Sequence, residues 1–300
     1  MSALSTFITF LQKLEYRRHL GIKGVIAYDK HRRRIRGAPP TPPLDDASAE
    51  VHVITAGREW LNAAWGLYSF YHFSGQRYRL CIHEDGSLNA EDGKALLRLF
   101  PGARIIPFGE ATETVTRWLA PFPRCQLLRK TKFISMKEFD FNYYLQAPIG
   151  ILFDSDLIFY QRPGFVCDEL IGTKKAGNWV NRDVHPGLSM PASDIERKFG
   201  LRVPEHYNTG FGTWHRGSIR NEDMESFLAD LQVLDHPWRF EQTLHALCSG
   251  KSSAHLLPEE YDIYWGKLKP DPVMRHYVGA IRARLFSEGI QNLHRIAMTG

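Results

Sequence analysis

Asp154-Ser155-Asp156 interrupts an apolar run, with Gly150-Ile151-Leu152-Phe153 before it and Leu157-Ile158-Phe159-Tyr160 after it. A carboxylate taken out of water without a partner costs several kcal/mol, so two acids in such a setting need compensation. On extended backbone, positions i and i+2 point to one side, which makes Asp154 and Asp156 converge. Hard oxygen ligands of this kind suit Mg²⁺ or Mn²⁺ rather than a zinc cage. The length of the apolar flanks reads as one strand over 150–160, buried on both faces as in an α/β sheet. The competing reading is a loop of two solvated acids between two short strands.

The elements that would carry this pair begin near residue 51. Val51–Thr55 reads as a strand, Ala56-Gly57 as a turn, and Arg58–Phe73 as a helix whose aromatic stripe (Trp60, Trp65, Tyr68, Tyr71) is core packing. A strand at Arg79–His83, a helix at Ala90–Phe100 stopped by Pro101-Gly102, and a strand at Ala103–Pro107 follow. Strand and helix in alternation indicate parallel βαβ units, whose ligands sit beyond the carboxyl ends of the strands. Residues 116–128 show no clear pattern. A helix is expected over Lys130–Leu145, a turn-rich polar region over 172–215, helices near 221–231 and 239–249, and a short strand or turn around His276.

The 300 residues are 43% hydrophobic and 24% charged, enough apolar matter for a sizeable core, and no stretch of about 18 apolar residues offers a membrane span. The N-terminus has no basic region ahead of its apolar residues and does not read as a secretory signal. Cys81, Cys125, Cys167 and Cys248 are scattered without metal or redox spacing, so reduced thiols in a cytoplasmic protein are expected. Of the formal charge of +5, residues 1–44 carry nine Lys and Arg against Glu15 and Asp29, a surplus of seven, which leaves −2 for the rest. A generally basic nucleic-acid-binding domain is therefore not expected. The run Lys30–Arg36 suits anionic lipid headgroups or another polyanion, a peripheral contact at the inner face of a membrane, and reads first as a solvated, partly mobile tail. Residues 37–50, rich in Pro, read as a stiff linker.

Four segments in order resemble glycosyltransferases of the GT-A fold, most closely the family 8-like sugar transferases. Asp154-Ser155-Asp156 in its apolar run, followed by Pro163, is similar to that family's metal-binding DxD strand. Tyr207-Asn208-Thr209-Gly210 is similar to its Asn-x-Gly segment, Phe240-Glu241-Gln242-Thr243-Leu244 to its (Asp/Glu)-Gln helix start, and Arg275–Arg282 to its His-x-x-Gly-x-x-Lys segment. The resemblance covers about 51–285. It implies a mixed, mostly parallel sheet flanked by helices in one large domain over 51–300, with a nucleotide-sugar half (51–163) and an acceptor half (164–300), after a basic extension and linker over 1–50.

The resemblance further implies Mn²⁺ or Mg²⁺ held by Asp154, Asp156 and His276, and a nucleotide-sugar donor, a UDP-sugar first. That donor would be bound by Thr55, Ala56, Gly57, Lys137, Asp154, Ser155, Gly279 and Arg282, the last standing where the family has lysine. Glu241, Gln242 and Asn208 are the acceptor-side or catalytic candidates, Glu241 replacing the family's usual Asp. The acceptor could be a glycan, a lipid-linked sugar, a protein or a small molecule. Two other readings compete. One is a haloacid dehalogenase-type phosphatase using the Asp154/Asp156 pair, which lacks here the early position of the motif and a downstream Gly-Asp-x-x-x-Asp. The other is a nucleotide-sugar-binding protein without turnover.

Overall fold

The computed structural model describes residues 25–295. The reading of the N-terminus, including Lys13, Arg17, Arg18 and Lys23, lies outside the described residues. The described residues form nine strands. In order along the chain the first part runs β1 (Asp46–Thr55), α2 (Trp60–Ser74), β2 (Tyr78–Glu84), α3 (Ala90–Leu99) and β3 (Arg104–Ile106). These are the expected βαβ units, with β1 starting five residues earlier than its apolar core at Val51. The unpatterned stretch resolves into α4 (Phe108–Trp118) and α5 (Pro123–Thr131), the latter opened by proline, whose fixed φ suits a first helical turn. α6 is shorter than expected, Met136–Tyr144, because residues 133–135 form a separate 3₁₀ turn.

The apolar run over 150–160 is not one strand. It is β4 (Ile149–Phe153) and β5 (Leu157–Phe159), broken at the two acids. β4 pairs with β1 in parallel, whereas β5 leaves for a separate two-stranded sheet. The physical reason is polar. Two carboxylates in mid-sheet would both point into one apolar layer, while a bend frees them to meet His276, Lys137 and Arg282. The region over 172–215 holds more regular structure than its turn-rich sequence indicates: β6 (Asn178–Arg182), α7 (Ala192–Phe199) and β7 (Tyr207–His215). α8 (Asn221–Phe227), α9 (Arg239–Gly250), β8 (Ala254–Leu256) and β9 (Met274–His276) complete the elements used below.

The main sheet has the order β3-β2-β1-β4-β7-β6-β8. It is mixed and mostly parallel, antiparallel only where β7 meets β4 and β6. Apolar side chains of α2, α3 and the C-terminal segment cover one face, and those of α5, α6, α8 and α9 the other. After β1 the chain goes to β2 on one side, and β4 lies on the other. The carboxyl ends of β1 and β4 therefore flank a switch in strand order, where a crevice opens in sheets of this kind.

The expectation of a solvated tail over 30–36 is corrected. Residues 25–36 form a helix, α1, that continues the fold. Tyr28, His31, Ile35 and Ala38 are buried at helical spacing, a stripe that the surrounding charges obscure in sequence. Arg34 stacks over Trp65, and Arg36 stacks over Trp60 and donates to Asp92 at 2.7 Å. These cations serve internal partners, which reduces what the segment offers to lipid. Burial also lowers the His31 pKa to about 4. Ile35 is fully buried. Ile35→Ala is expected to cost about 2–4 kcal/mol, read from urea unfolding; an unchanged midpoint would restore the tail reading.

Candidate active site

Three segments meet at the switch point. The first is the bend after β4. The register Phe153↔Phe211 lays β7 beside it, and the Asp154 amide donates to the Gly210 carbonyl at 2.7 Å. The second is β7 around Asn208–Gly210. The third is β9, whose pairing Leu157↔His276 with β5 and the Tyr277 amide to Asp156 carbonyl bond (2.9 Å) bring His276 beside both acids. His276 Nε2 stands 3.0 Å from Asp156 Oδ1 and 3.5 Å from Asp154 Oδ2. The convergence expected from an i, i+2 strand exists, but a bend and a partner strand 120 residues away produce it.

The approach depends on Gly210. A Cβ there would lie 2.1 Å from His276 Cε1. Asn208 and Gly210 build no turn; both sit on buried extended backbone. Gly210→Ala is expected to push the imidazole off the acids and weaken divalent-metal affinity tenfold or more, by the scale (roughly 10–100-fold) of losing a supporting contact at a metal ligand. Titration with Mn²⁺ checks this, and unchanged affinity would show that His276 can shift without cost.

Each acid spends its other oxygen on a protein cation. Lys137 Nζ, from the first turn of α6, is 2.5 Å from Asp154 Oδ1. Arg282 donates through Nε (3.0 Å) and Nη2 (2.8 Å) to Asp156 Oδ2, and its Nη1 lies 3.5 Å from Glu59. Burial alone would raise the Asp156 pKa, but His276 and Arg282 outweigh it and hold it at about 2. Arg282 is raised in turn, by Asp156 first. Burial opposes the charge on Lys137, yet Asp154 and then Glu241 outweigh it and raise its pKa.

The donor set fits a hard divalent cation. Asp154, Asp156 and His276 offer two carboxylate oxygens and one imidazole nitrogen within 4.8 Å of one another. The carboxylate oxygens not engaged by Lys137 or Arg282 both face Nε2, so the three donor atoms converge on one point. His276 Nδ1 is buried and has no hydrogen-bond partner among the described residues.

The other expected donor-side residues surround this point. Thr55 ends β1, and the register Val53↔Phe153 sets it level with the bend. Ala56 and Gly57 follow; the Gly57 amide donates to Ser87 Oγ at 2.8 Å, and a Cβ on Gly57 would lie 2.2 Å from the Ser87 carbonyl oxygen. Ser155 is half-buried between the two acids. Gly279 is exposed, opens a 3₁₀ turn that leads to Arg282, and has open space where a side chain would be.

The acceptor-side candidates are more deeply engaged. Asn208 donates to Asp183 Oδ2 (2.7 Å) and accepts from the Gly210 amide (2.8 Å). Gln242 accepts from the Thr209 amide (3.3 Å) and donates to the Gly187 carbonyl (2.8 Å). Glu241 is buried and accepts from Thr209 Oγ1 at 3.0 Å. Burial raises its pKa against the pull of Lys137. The neighbouring Glu138, also buried, is raised further by burial and by Glu241. Sequence reasoning missed Glu138 and Glu59. Glu59 stands two residues beyond Gly57, where a charge at the start of a helix could have drawn notice; nothing in the sequence pairs Glu138 with Glu241.

No family model and no curated protein matches the chain. Solved structures do. The WbbM bifunctional glycosyltransferase in its apo form matches with a TM-score of 0.52 at 16% identity over 85% of this chain, which spans 51% of that one. The galactosyltransferase LgtC, in complex with donor and acceptor sugar analogs, matches with a TM-score of 0.52 at 10% identity, covering 82% of this chain and 96% of that one. Mouse xyloside xylosyltransferase 1 matches with a TM-score of 0.51 at 13% identity, covering 78% and 98%. The chain thus has the GT-A-type glycosyltransferase fold.

Proposed function

We propose that this chain is a metal-dependent, hexosyltransferase-type glycosyltransferase that moves a sugar from a nucleoside diphosphate sugar to an acceptor. One observation carries the reading. Asp154, Asp156 and His276 come together at the strand-order switch, with Lys137 and Arg282 as flanking cations. Asp154, Asp156 and His276 would hold Mn²⁺ or Mg²⁺, which supplies Lewis-acid stabilisation of charge growing on the departing diphosphate. Lys137 and Arg282 set fixed positive charge beside the same oxygens, and both side chains are already held by Asp154 and Asp156 rather than free to swing. Thr55, Ala56 and Gly57 meet the base and ribose, Ser155 the diphosphate, and exposed Gly279 lets the backbone approach it.

Asn208, Gln242 and Glu241 form the acceptor side. Glu241, being buried, acts through Thr209 and Lys137. The stretch 178–215 shapes the acceptor pocket. The motif order supports a UDP-sugar as donor and family 8-like membership, and the four scattered cysteines support a cytoplasmic setting. Among the described residues no helix is long and apolar enough to cross a membrane.

The test is calorimetric titration with UDP, GDP and ADP, each with Mn²⁺ and with a chelator. Metal-dependent binding of one nucleoside diphosphate supports the reading and names the donor class. Binding of none, with phosphate released from a generic phosphoester, turns it to the phosphatase. Donor binding without transfer to any sugar acceptor turns it to a binding protein.

A further inference from the structure

A second trio of potential ligands lies on the adjoining strand pair, β1 and β2. His52 on β1 faces Cys81 across the β1–β2 register, and His83 is two residues beyond Cys81, so all three project from one face of the sheet. All three are fully buried. One atom of each lies within 4.8 Å of the others, and His52 Nδ1 is 3.0 Å from His83 Nε2. Around them pack Phe141, 5.2 and 4.8 Å from the two imidazoles, and Trp214 at 5.5 Å from His52.

As a mere core packing this set is expensive. Between the two rings only one hydrogen bond forms, and His83 Nδ1 has no partner among the described residues. The surroundings are instead those of ligands held in place. Glu50 Oε2 lies 3.5 Å from His52 Nε2, the ring nitrogen that faces away from the trio. Glu50 is itself fixed by Arg104 (2.6 Å) and the Gln146 amide (2.7 Å). A carboxylate behind an imidazole favours a metal-binding histidine and raises its basicity; at 3.5 Å, with no hydrogen bond made by His52 Nε2 among the described residues, Glu50 acts here through its charge. The separation is close to what three donors require: two nitrogens about 2.0 Å from an ion held in a plane by three ligands stand roughly 3.5 Å apart, and the two rings stand 3.0 Å apart before an ion spreads them.

We infer that His52, Cys81 and His83 form a buried site for a thiophilic closed-shell cation, Zn²⁺ or Cu⁺, that ties β1 to β2. Binding forms a sulfur–metal bond and releases the Cys81 thiol proton; no oxidation state changes. Sulfur and nitrogen donors separate this site from the oxygen-rich one at Asp154 and Asp156. Its consequence is structural. It clamps the strand that ends at Thr55 and leads into Gly57.

Because the site is closed to solvent, the ion must enter as the sheet forms, so the full chain is produced in medium supplemented with Zn²⁺, Cu⁺-generating copper, or Co²⁺ as a spectroscopic stand-in. Elemental analysis of the Asp156→Ala variant, which disables the other site, is expected to return about one ion per chain and to say whether Zn²⁺ or Cu⁺ is retained. The Co²⁺ form is expected to show a thiolate-to-metal charge-transfer band, which an Asp/His site cannot give. Cys81→Ala should abolish the band, and Glu50→Gln should weaken retention about tenfold or more. Absence of the band in the otherwise native chain, with no retained Zn²⁺ or copper, overturns the inference. So does a band that survives in Cys81→Ala. If Cys81→Ala fails to fold, the native chain's spectrum decides alone.

Discussion

Asp156→Ala is expected to remove metal-dependent donor binding and to lower transfer by on the order of 10³-fold, while the chain stays folded. The side chain is almost fully buried and, among the described residues, is the one acid that pairs with both His276 and Arg282. Removing it deletes a proposed ligand and releases Arg282, whose direction it fixes. The fold should tolerate the change, since Arg282 keeps Glu59 within 3.5 Å and the Asp156 carbonyl still accepts from the Tyr277 amide. Asp156→Asn separates the two roles: it preserves an acceptor for Arg282 and loses the charge a cation needs. Calorimetry with UDP and Mn²⁺, beside a urea melt, reads both. Donor affinity that is equal to the native chain's in the presence of Mn²⁺ would sink the metal assignment.

Lys137→Met is expected to damage stability as well as activity. The ammonium is buried, lies against Asp154 and the Thr209 carbonyl, and offsets Glu241. Truncating one partner of a buried charge pair typically costs about 3–5 kcal/mol, because the remaining charge is left uncompensated. Here the carboxylate left behind is Asp154, with Glu241 and Glu138 close by. The double variant Lys137→Met/Glu241→Gln should recover part of the stability by deleting one buried acid, and should recover none of the transfer. Urea unfolding and a donor-hydrolysis assay distinguish the two. A Lys137→Met chain as stable as the native one would show that the ammonium is a solvated surface charge, the reading its sequence context allows.

Much of the site's chemistry was legible in the residues alone. An acid pair in an apolar run requires a compensating cation wherever it ends up, and alternating strand and helix patterns place such a pair at the carboxyl ends of parallel strands. The turn at Ala56-Gly57 and the helix from Trp60 are local features, set by Gly and by apolar periodicity, and so were readable too. Local signals failed where packing outvoted them. Residues 25–36 look like a charged tail, yet Tyr28, His31 and Ile35 form a stripe that only Trp65 and the C-terminal segment turn into a buried face.

The amino-acid sequence by itself determined which groups are available: two carboxylates, a distant histidine, a lysine, an arginine and glycines that permit close approach. Only the tertiary structure decided their geometry. The apolar run breaks at Asp154 because β4 is claimed by β1 and β7 while β5 is claimed by β9, and no local propensity encodes that choice of partners. The same choice sets His276 beside the acids and Gly210 beneath it. It also decides that Lys137 compensates Asp154 from within the protein. Contacts between residues far apart in the chain depend on loop closure and long-range pairing, and these are settled when the whole core forms.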